Sequence, residues 1–360
     1  MPEEVKNPEN IDSKQDYHIV VIGASAGGFE AIKTIIRNLP PDFQPPIFIV
    51  WHMSPDVNGI MPHVLNKENT IYAAHALAGE IIKPNRIYVA PPDHHLLIED
   101  STLRLTHGPK ENHFRPAVDP MFRSASYTYG NRVIGIVLSG GLDDGTAGLW
   151  RIKHGGGVAI VQDPHNAEVP SMPENALREV AVDYCVPVDE MADLLVKLSA
   201  TKPDVTINPV IDEKTKIEIG IAAGDNGYDR ASLNIGELSP MTCPECHGVL
   251  SKITDGALTR YRCHTGHAFS IDTLLSLVTE KIEENLYNAL SGIEESMMLL
   301  NHIGDHLAEI NHTRLAALYF KKAKEAEDRA NLLKNGLMGT EQLSNDKLLR
   351  ELDDVNNEMK

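Results

Sequence analysis

A serine lies in a glycine-rich turn near the start of the chain. Residues 20–28 read VVIGASAGG, a β-type apolar run that breaks into small residues directly before the helical pattern FEAIKTIIRNL. The turn matches GxSxG, in which small neighbours let the backbone bend sharply and lift a serine hydroxyl above a sheet. A dinucleotide-binding turn requires glycine at the second position of GxGxxG, where Ser25 stands. The pattern favours Ser25 as a nucleophile, with an ordinary tight strand–helix turn as the alternative.

A seryl nucleophile needs a base, and polar residues follow two other apolar runs. His52 comes directly after PIFIVW, and Asp143 and Asp144 lie in a glycine-rich loop after RVIGIVL. Because functional groups in open α/β sheets gather at the carboxyl ends of the strands, these residues are expected near Ser25. An imidazole can take the seryl proton, a carboxylate can hold its tautomer, and helix N-terminal amides can stabilise an oxyanion. The residues therefore predict a hydrolase with a Ser-His-Asp triad.

These residues belong to a region, from Tyr17 to about Ala200, in which strand and helix patterns alternate. The strand candidates are HIVVI, PIFIVW, RIYVA, RVIGIVL and GVAIVQ, and helices are predicted near 28–38, 145–153, 173–181 and 189–199. This alternation predicts an α/β fold with a doubly wound, mainly parallel, Rossmann-like sheet. LLIEDSTLRL is interpreted as an antiparallel hairpin, and Cys185, after the candidate strand VAVDY, as a buried core residue.

Composition excludes several classes of function. The chain has 360 residues and a formal charge of -18, which argues against binding to nucleic acid or to an anionic membrane surface. Neither a secretory leader nor an apolar run of about 18 residues is found, so no membrane insertion and a cytoplasmic location are expected. Four cysteines are too few for a disulfide framework.

Three of the cysteines form a compact pattern. PMTCPECHGVLSKITDGALTRYRCHTGHAFS contains CxxC and then CxxxH, which is typical of a tetrahedral structural zinc site. Four protein ligands would leave no open coordination position, so no catalytic metal is indicated. A metal-free hairpin is the alternative, and His247 and His264 are neighbours that compete for the fourth position. The predicted ligands are Cys243, Cys246, Cys263 and His267.

The remaining segments complete the predicted organisation. Residues 1–16 are expected to be disordered, 17–200 to form the catalytic domain, 201–240 a linker with at most one ordered strap, and 241–270 the zinc-ribbon-like module. After Ser270 the apolar residues follow helical spacing, and a second helix is predicted from about 313 to 336. Residues 271–360 are thus expected to form an α-helical hairpin and tail, with a homodimer through these helices as a further expectation.

The first 200 residues resemble the catalytic domain of the chemotaxis receptor protein-glutamate methylesterases (CheB-type). The matching stretches occur in the family's order and are VVIGASAGG, VWHMSPD, YVAPPDHHLLI, FRPAVDPMFRSAS, GIVLSGGLDDGTAG and VQDPHNAEVPSMPENA. CPEC with the later YRC and GHAFS is similar to a C-terminal extension of stand-alone relatives. The resemblance implies Ser25 as nucleophile, His52 as base and Asp144 as the third triad member.

The resemblance also implies a substrate and partners. Family substrates are methyl-esterified glutamates on methyl-accepting chemotaxis receptors, with glutamine deamidation as a second reaction and no cofactor for catalysis. A signalling kinase or a methyltransferase is a further implied partner. Since fewer than about 20 residues precede the first strand, a stand-alone form without a receiver domain is expected. A non-catalytic signalling scaffold that binds receptor or kinase partners is the alternative function.

Two residues depart from the family pattern near the active site, and one segment is predicted to bind the substrate. Ala26 stands where many members have threonine, and Gly141 stands where many have methionine, so the loop near Gly141 is expected to affect rate and substrate fit. FRPAVDPMFRSAS is predicted to form the substrate surface, with a helix start followed by core packing as the alternative. In this prediction Arg115 binds acidic groups of the substrate, and Asp119 and Phe122 shape the cleft wall.

Overall fold

A computed structural model of the protein describes residues 17–53, 59–201, 212–225 and 235–338, together with 343, 347, 348 and 351. The prediction of disorder for residues 1–16 lies outside the described residues. The chain divides into two compact units, Met1–Ser270 and Ile271–Lys360.

The first unit is built around a seven-stranded sheet whose strands pair in parallel, in the order β3-β4-β2-β1-β7-β8-β9. Its β-branched, apolar runs form central strands that are buried on both faces, as expected for a sheet covered by helices, whereas the edge strands β3 and β9 have exposed residues. The strands are β1 (Ile19–Ala24), β2 (Ile47–Trp51), β3 (Tyr72–His75), β4 (Arg86–Val89), β7 (Val133–Val137), β8 (Val158–Gln162) and β9 (Tyr184–Val186).

Helices cover both faces, and successive strand residues point into two separate cores. Ile19 and Val21 belong to one core, whereas Val20 and Ile22 belong to the other. The second core receives the apolar sides of α1 (Gly28–Asn38), α2 (Met61–Glu68) and α6 (Val188–Ser199). The first receives those of α3 (Val118–Tyr129), α4 (Thr146–His154) and α5 (Ser171–Glu179). The doubly wound α/β prediction is confirmed.

The strand order changes direction between β1 and β7, which fixes where a site can form. From β1 the chain passes to β2, then to β3 at the edge of the sheet and back to β4 between β3 and β2, and it later crosses to β7 on the other side of β1. Ligand sites of open α/β sheets lie at such a switch point, outside the carboxyl ends of the strands. Ser25, His52 and the loop with Asp144 all follow strands at this edge.

Sequence patterns located most of these elements, with several errors. The five candidate strands and the four candidate helices are confirmed within a few residues. β3 and α2 were not predicted. VAVDY was misplaced, because Val180 caps α5 and the strand begins only at Tyr184. Cys185 is exposed, and its prediction as a core residue is wrong because β9 is a short edge strand.

Two antiparallel parts complete the first unit. LLIEDSTLRL forms the predicted hairpin of β5 (His95–Glu99) and β6 (Thr102–Thr106). A four-stranded sheet contains β10 (Glu237–Thr242), β11 (Val249–Asp255), β12 (Leu258–Cys263) and β13 (Ala268–Ser270). The segment 201–240, interpreted as a linker, contains α7 (Glu213–Ala222), while its residues 202–211 and 226–234 lie outside the described residues.

The second unit contains the predicted helical hairpin, α8 (Ile271–Glu309) and α9 (Thr313–Leu337). The chain reverses at Asn311, whose φ is 63°. Close packing uses small residues: a Cβ at Gly304 would lie 2.7 Å from the Phe320 ring, and four alanines of α9 are buried. None of the described helices combines the length and apolar character needed to cross a bilayer. The homodimer stays a prediction.

Candidate active site and metal centre

Ser25 lies in a tight turn between β1 and α1. Its amide donates a hydrogen bond to the carbonyl of Ser139 (2.9 Å), and its own carbonyl accepts hydrogen bonds from Gly28 N (3.0 Å) and Trp51 Nε1 (2.8 Å). Gly27 has φ 73°, and a Cβ there would lie 2.5 Å from the side chain of Glu168, so this position of the turn requires glycine. The GASAG sequence thus fixes the backbone that presents Ser25.

His52 and Asp144 form a buried pair at the same edge of the sheet. His52 Nε2 lies 2.8 Å from Asp144 Oδ2, and the two side chains are 3% and 2% exposed. Because a carboxylate accepts, Nε2 carries the hydrogen and Nδ1 is the nitrogen with the free lone pair. Nδ1 makes no hydrogen bond to any residue that the structure describes. The ring of Phe114 stacks on the imidazole with centroids 3.7 Å apart, which holds its plane.

Four further donors surround the carboxylate of Asp144. Oδ2 also accepts from Val118 N (2.7 Å), while Oδ1 accepts from Asn112 Nδ2 (2.9 Å), Gly145 N (3.0 Å) and, more distantly, Asp119 N (3.3 Å). Burial by itself raises the pKa of Asp144, but the hydrogen bonds from His52, Val118 and Asn112 outweigh it and hold the pKa below its usual value. Asp144 is therefore a stable anion beside the imidazole.

The pKa of the neighbouring Asp119 is shifted in the opposite direction. Its Oδ1 accepts from Gly148 N (2.6 Å) and its Oδ2 from Asn112 Nδ2 (3.0 Å), and the residue is 3% exposed. Burial and the negative charge of Asp144 raise the pKa of Asp119 to about 8. Two neighbouring carboxyl groups thus take different protonation states near pH 7, with the charge held on the one that faces His52.

A cleft of about 430 Å³ opens beside this pair. Its polar lining combines the candidate nucleophile and base, Ser25 and His52, with the basic side chains of Lys110, His113 and Arg115 and with the acidic side chain of Asp93. Ala26 and Gly27 also line the cleft. A substrate bound here would lie beside a serine, an imidazole and both basic and acidic side chains.

The three predicted substrate residues are not brought together in this cleft. Arg115 lines it, although its guanidinium also binds Asp93 (Nη2 to Oδ1, 2.7 Å) and the carbonyl of Gly108 (2.9 Å). Asp119 is buried, accepts a hydrogen bond from Asn112 and is not among the residues that line the cleft. Phe122 has no exposed surface and belongs to the core, so it cannot form a cleft wall. For Phe122 the alternative interpretation, a helix whose side chains pack in the core, is therefore the correct one.

Sequence reasoning missed several residues of this site. Asn112 and Phe114, which contact Asp144 and His52, and Lys110 at the cleft all come from the polar segment GPKENHFRP. The only available signal was its position, between the predicted hairpin and the predicted substrate surface. Nothing in its composition indicates which side chains turn inward.

A second cluster brings together the four predicted metal ligands. The ligand atoms of Cys243, Cys246, Cys263 and His267 all lie within 4.8 Å of one another. Cys246 Sγ is 3.6 Å from Cys263 Sγ, and His267 Nδ1 is 3.6 Å from Cys263 Sγ. A tetrahedral zinc ion with Zn–S bonds of about 2.3 Å separates its ligands by roughly 3.7 Å, so this donor set fits zinc. His247 and His264 are exposed and lie outside the cluster.

Comparison with known proteins gives the family. Residues 20–195 match the model of the family described as CheB methylesterase. A putative protein-glutamate methylesterase/protein-glutamine glutaminase from Leptospira interrogans is 42% identical over 184 residues, which span 51% of this chain and 95% of that protein. The chain belongs to the CheB methylesterase family. The predicted family and the predicted class of enzyme, a methylesterase, are confirmed.

Other members of the CheB methylesterase family are longer. A protein-glutamate methylesterase/protein-glutamine glutaminase from Anaeromyxobacter dehalogenans is 37% identical over 181 residues, and the match spans 50% of this chain and 53% of that protein. Among solved structures, the Thermotoga maritima CheB methylesterase catalytic domain is 34% identical with a TM-score of 0.49, over 51% of this chain and 98% of that domain. These matches concern about half of the chain.

Proposed function

We propose that the protein hydrolyses glutamate 5-methyl esters on a protein substrate and releases methanol, with Ser25 as nucleophile, His52 as base and Asp144 as the residue that orients the base. One observation carries this proposal: Ser25 and His52 line the same cleft, and the His52–Asp144 bond through Nε2 leaves the buried His52 Nδ1 without a partner among the described residues. Methyl-ester hydrolysis is the activity named for the Leptospira and Anaeromyxobacter relatives.

The chemistry follows from the roles of these groups. Ser25 Oγ attacks the ester carbonyl while His52 Nδ1 takes its proton, and Asp144 stabilises the imidazolium that forms. The backbone amides of Ala26 and Gly27, two residues that line the cleft, are the proposed donors to the developing oxyanion. His52 then returns the proton to the departing methoxide, which leaves as methanol. Water, deprotonated by the same nitrogen, cleaves the acyl-enzyme and regenerates Ser25.

The basic side chains of the cleft support an acidic protein substrate. Methyl esterification neutralises one glutamate, but neighbouring acidic residues of a receptor helix keep their charge. Lys110 and Arg115 at the cleft are suited to bind such groups. A methyl-accepting chemotaxis receptor is accordingly the proposed partner. Glutamine deamidation would pass through a similar tetrahedral intermediate with ammonia as the leaving group.

The proposal includes a structural zinc ion held by Cys243, Cys246, Cys263 and His267. Four protein ligands complete a tetrahedral site, so the ion would stabilise the fold of residues 237–270 and take no part in ester cleavage. Thr265 Oγ1 lies 2.9 Å from Cys263 Sγ and 3.2 Å from Cys246 Sγ, a position from which a hydroxyl can donate to a thiolate.

A covalent probe separates an active esterase from a scaffold. A fluorophosphonate reacts with a serine only when a base activates it, so the full chain should be labelled on the peptide that contains Ser25. Labelling should disappear in Ser25→Ala and fall strongly in His52→Ala. Absence of labelling at Ser25 in the folded wild-type chain would refute the proposed chemistry and favour the scaffold.

A further inference from the structure

The Cys/His module, defined here as residues 237–270, packs directly on the segment that supports Asp144. Its last strand, β13, forms a parallel bridge with Glu111. The amide of Asn112 donates to the carbonyl of Ala268 (2.8 Å), and the amide of Ala268 donates to the carbonyl of Lys110 (3.3 Å). The module therefore holds the backbone on both sides of Glu111.

Asn112 connects β13 to the carboxylate of Asp144. Its side-chain Oδ1 accepts from the backbone amide of Ser270 (3.0 Å). Its Nδ2 donates to Asp144 Oδ1 (2.9 Å) and to Asp119 Oδ2 (3.0 Å). With Ser270 N–H on the oxygen side, only one orientation of the amide is compatible with its neighbours, because the reversed one would place oxygen against two carboxyl groups. The Ser270 amide thus aims both Nδ2 hydrogens at the acids.

A buried ionic cluster fixes the module in this position. Arg262 of β12 is fully buried and binds Glu111 Oε1 (2.9 Å) and Glu218 Oε1 of α7 (2.9 Å). Arg123 of α3 binds the other oxygen of Glu111 (2.9 Å), and Arg260 binds Glu218 (2.6 Å). Separating the module would leave these charges buried without partners, which is strongly unfavourable. The module is therefore an integral part of the wall behind the site.

We propose that Asn112 is a positioning residue for the catalytic carboxylate, and that the Cys/His module controls it through the backbone amide of Ser270. The inference rests on the proposed function, since it assigns Asn112 a role through Asp144. Asn112 is 4% exposed and does not line the cleft, so its contribution is to the reaction step and not to substrate binding.

The test compares methanol release from a methylated receptor fragment by full-length variants. Asn112→Ala is expected to lower kcat by about 10- to 100-fold, the value of a hydrogen bond to a charged group, with KM changed less than about twofold. Asn112→Asp keeps the shape but replaces the donors with oxygen, and it should lose at least as much activity near pH 8. A packing role predicts instead that Asn112→Asp restores the rate.

Ser270 tests the connection to the module. Ser270→Pro removes the amide hydrogen, whereas Ser270→Ala keeps it. The proline variant should reproduce the loss of kcat, and the alanine variant should stay within about threefold of wild type. In the Asn112→Ala background, Ser270→Pro should have no further effect, because both changes act through one amide. Additive losses would overturn the role of the module.

Ser25→Ala provides the reference that distinguishes the two proposals. If Ser25→Ala is inactive while folded Asn112→Ala keeps wild-type kcat, the inference about Asn112 is wrong and the proposed function stands. If Ser25→Ala keeps its activity, the proposed function itself fails. Asp225→Asn is the matched control, because it breaks a surface ion pair between Arg104 and the segment after α7 without touching Asn112.

Discussion

The imidazole of His52 is held through its Nε2, 2.8 Å from Asp144 Oδ2, while its buried Nδ1 has no hydrogen-bond partner among the described residues. An aspartate in this position fixes both the tautomer and the orientation of the ring. The preceding Asp143 makes a different contact, accepting a hydrogen bond from Ser270 Oγ (2.6 Å). The two adjacent aspartates of LDDG are therefore not equivalent.

This difference predicts unequal effects of two matched substitutions. Asp144→Asn should lower kcat by about a thousandfold or more, because an amide cannot stabilise the imidazolium and favours the wrong tautomer. Asp143→Asn should lower it by less than about tenfold. Methanol release measured at saturating substrate compares them. Equal losses in the two variants would show that the His52–Asp144 contact does not drive the reaction.

Asp119 predicts a pH dependence of stability. A free aspartate titrates near pH 4, whereas the pKa of Asp119 in the folded protein is about 8. Between these values the folded state binds the extra proton, so the free energy of unfolding decreases as the pH rises from about 4 to about 8. Asp144, whose pKa is lowered, contributes a change of opposite sign only at more acidic pH.

Urea unfolding across this range tests the prediction. Asp119→Asn removes the titrating group, so its free energy of unfolding should decline less than that of wild type between about pH 4 and about pH 8, by more than about 1 kcal/mol. Asp225→Asn, at an exposed ion pair, should keep the wild-type slope. An unchanged slope in Asp119→Asn would show that Asp119 is already ionised at neutral pH.

The Cys/His cluster predicts one zinc ion per chain. Cys243→Ser should abolish stoichiometric zinc and lower the melting temperature, because a structural ion contributes directly to folding. Cys185→Ser is the matched control, since Cys185 is exposed on β9 and lies outside the cluster. Metal analysis of the purified chains decides the matter. A full equivalent of zinc in Cys243→Ser would contradict the assignment.

The sequence predicted the position of the site because parallel strands impose it. Ser25, His52 and Asp144 follow three strands of one sheet, and the carboxyl ends of these strands meet at one edge. The choice between Asp143 and Asp144 came from the resemblance alone, since both follow the same strand. Their different contacts become visible only with side chains in place.

Other features could not be predicted because they depend on contacts between distant segments. Asn112 is oriented by Ser270, 158 residues later in the chain. Phe122 was misassigned because its helix carries Val118, Met121, Phe122 and Ala125 on one apolar face, and that face packs into the core. Cys185 was misassigned because apolar character alone does not distinguish an edge strand from a central one.

The most direct test of the central claim is methanol release from a methylated chemotaxis receptor by folded Ser25→Ala protein. The proposed function predicts that release falls by about a thousandfold or more relative to wild type, while the unfolding transition is preserved. Release at the wild-type rate by the folded variant would show that Ser25 is not the nucleophile.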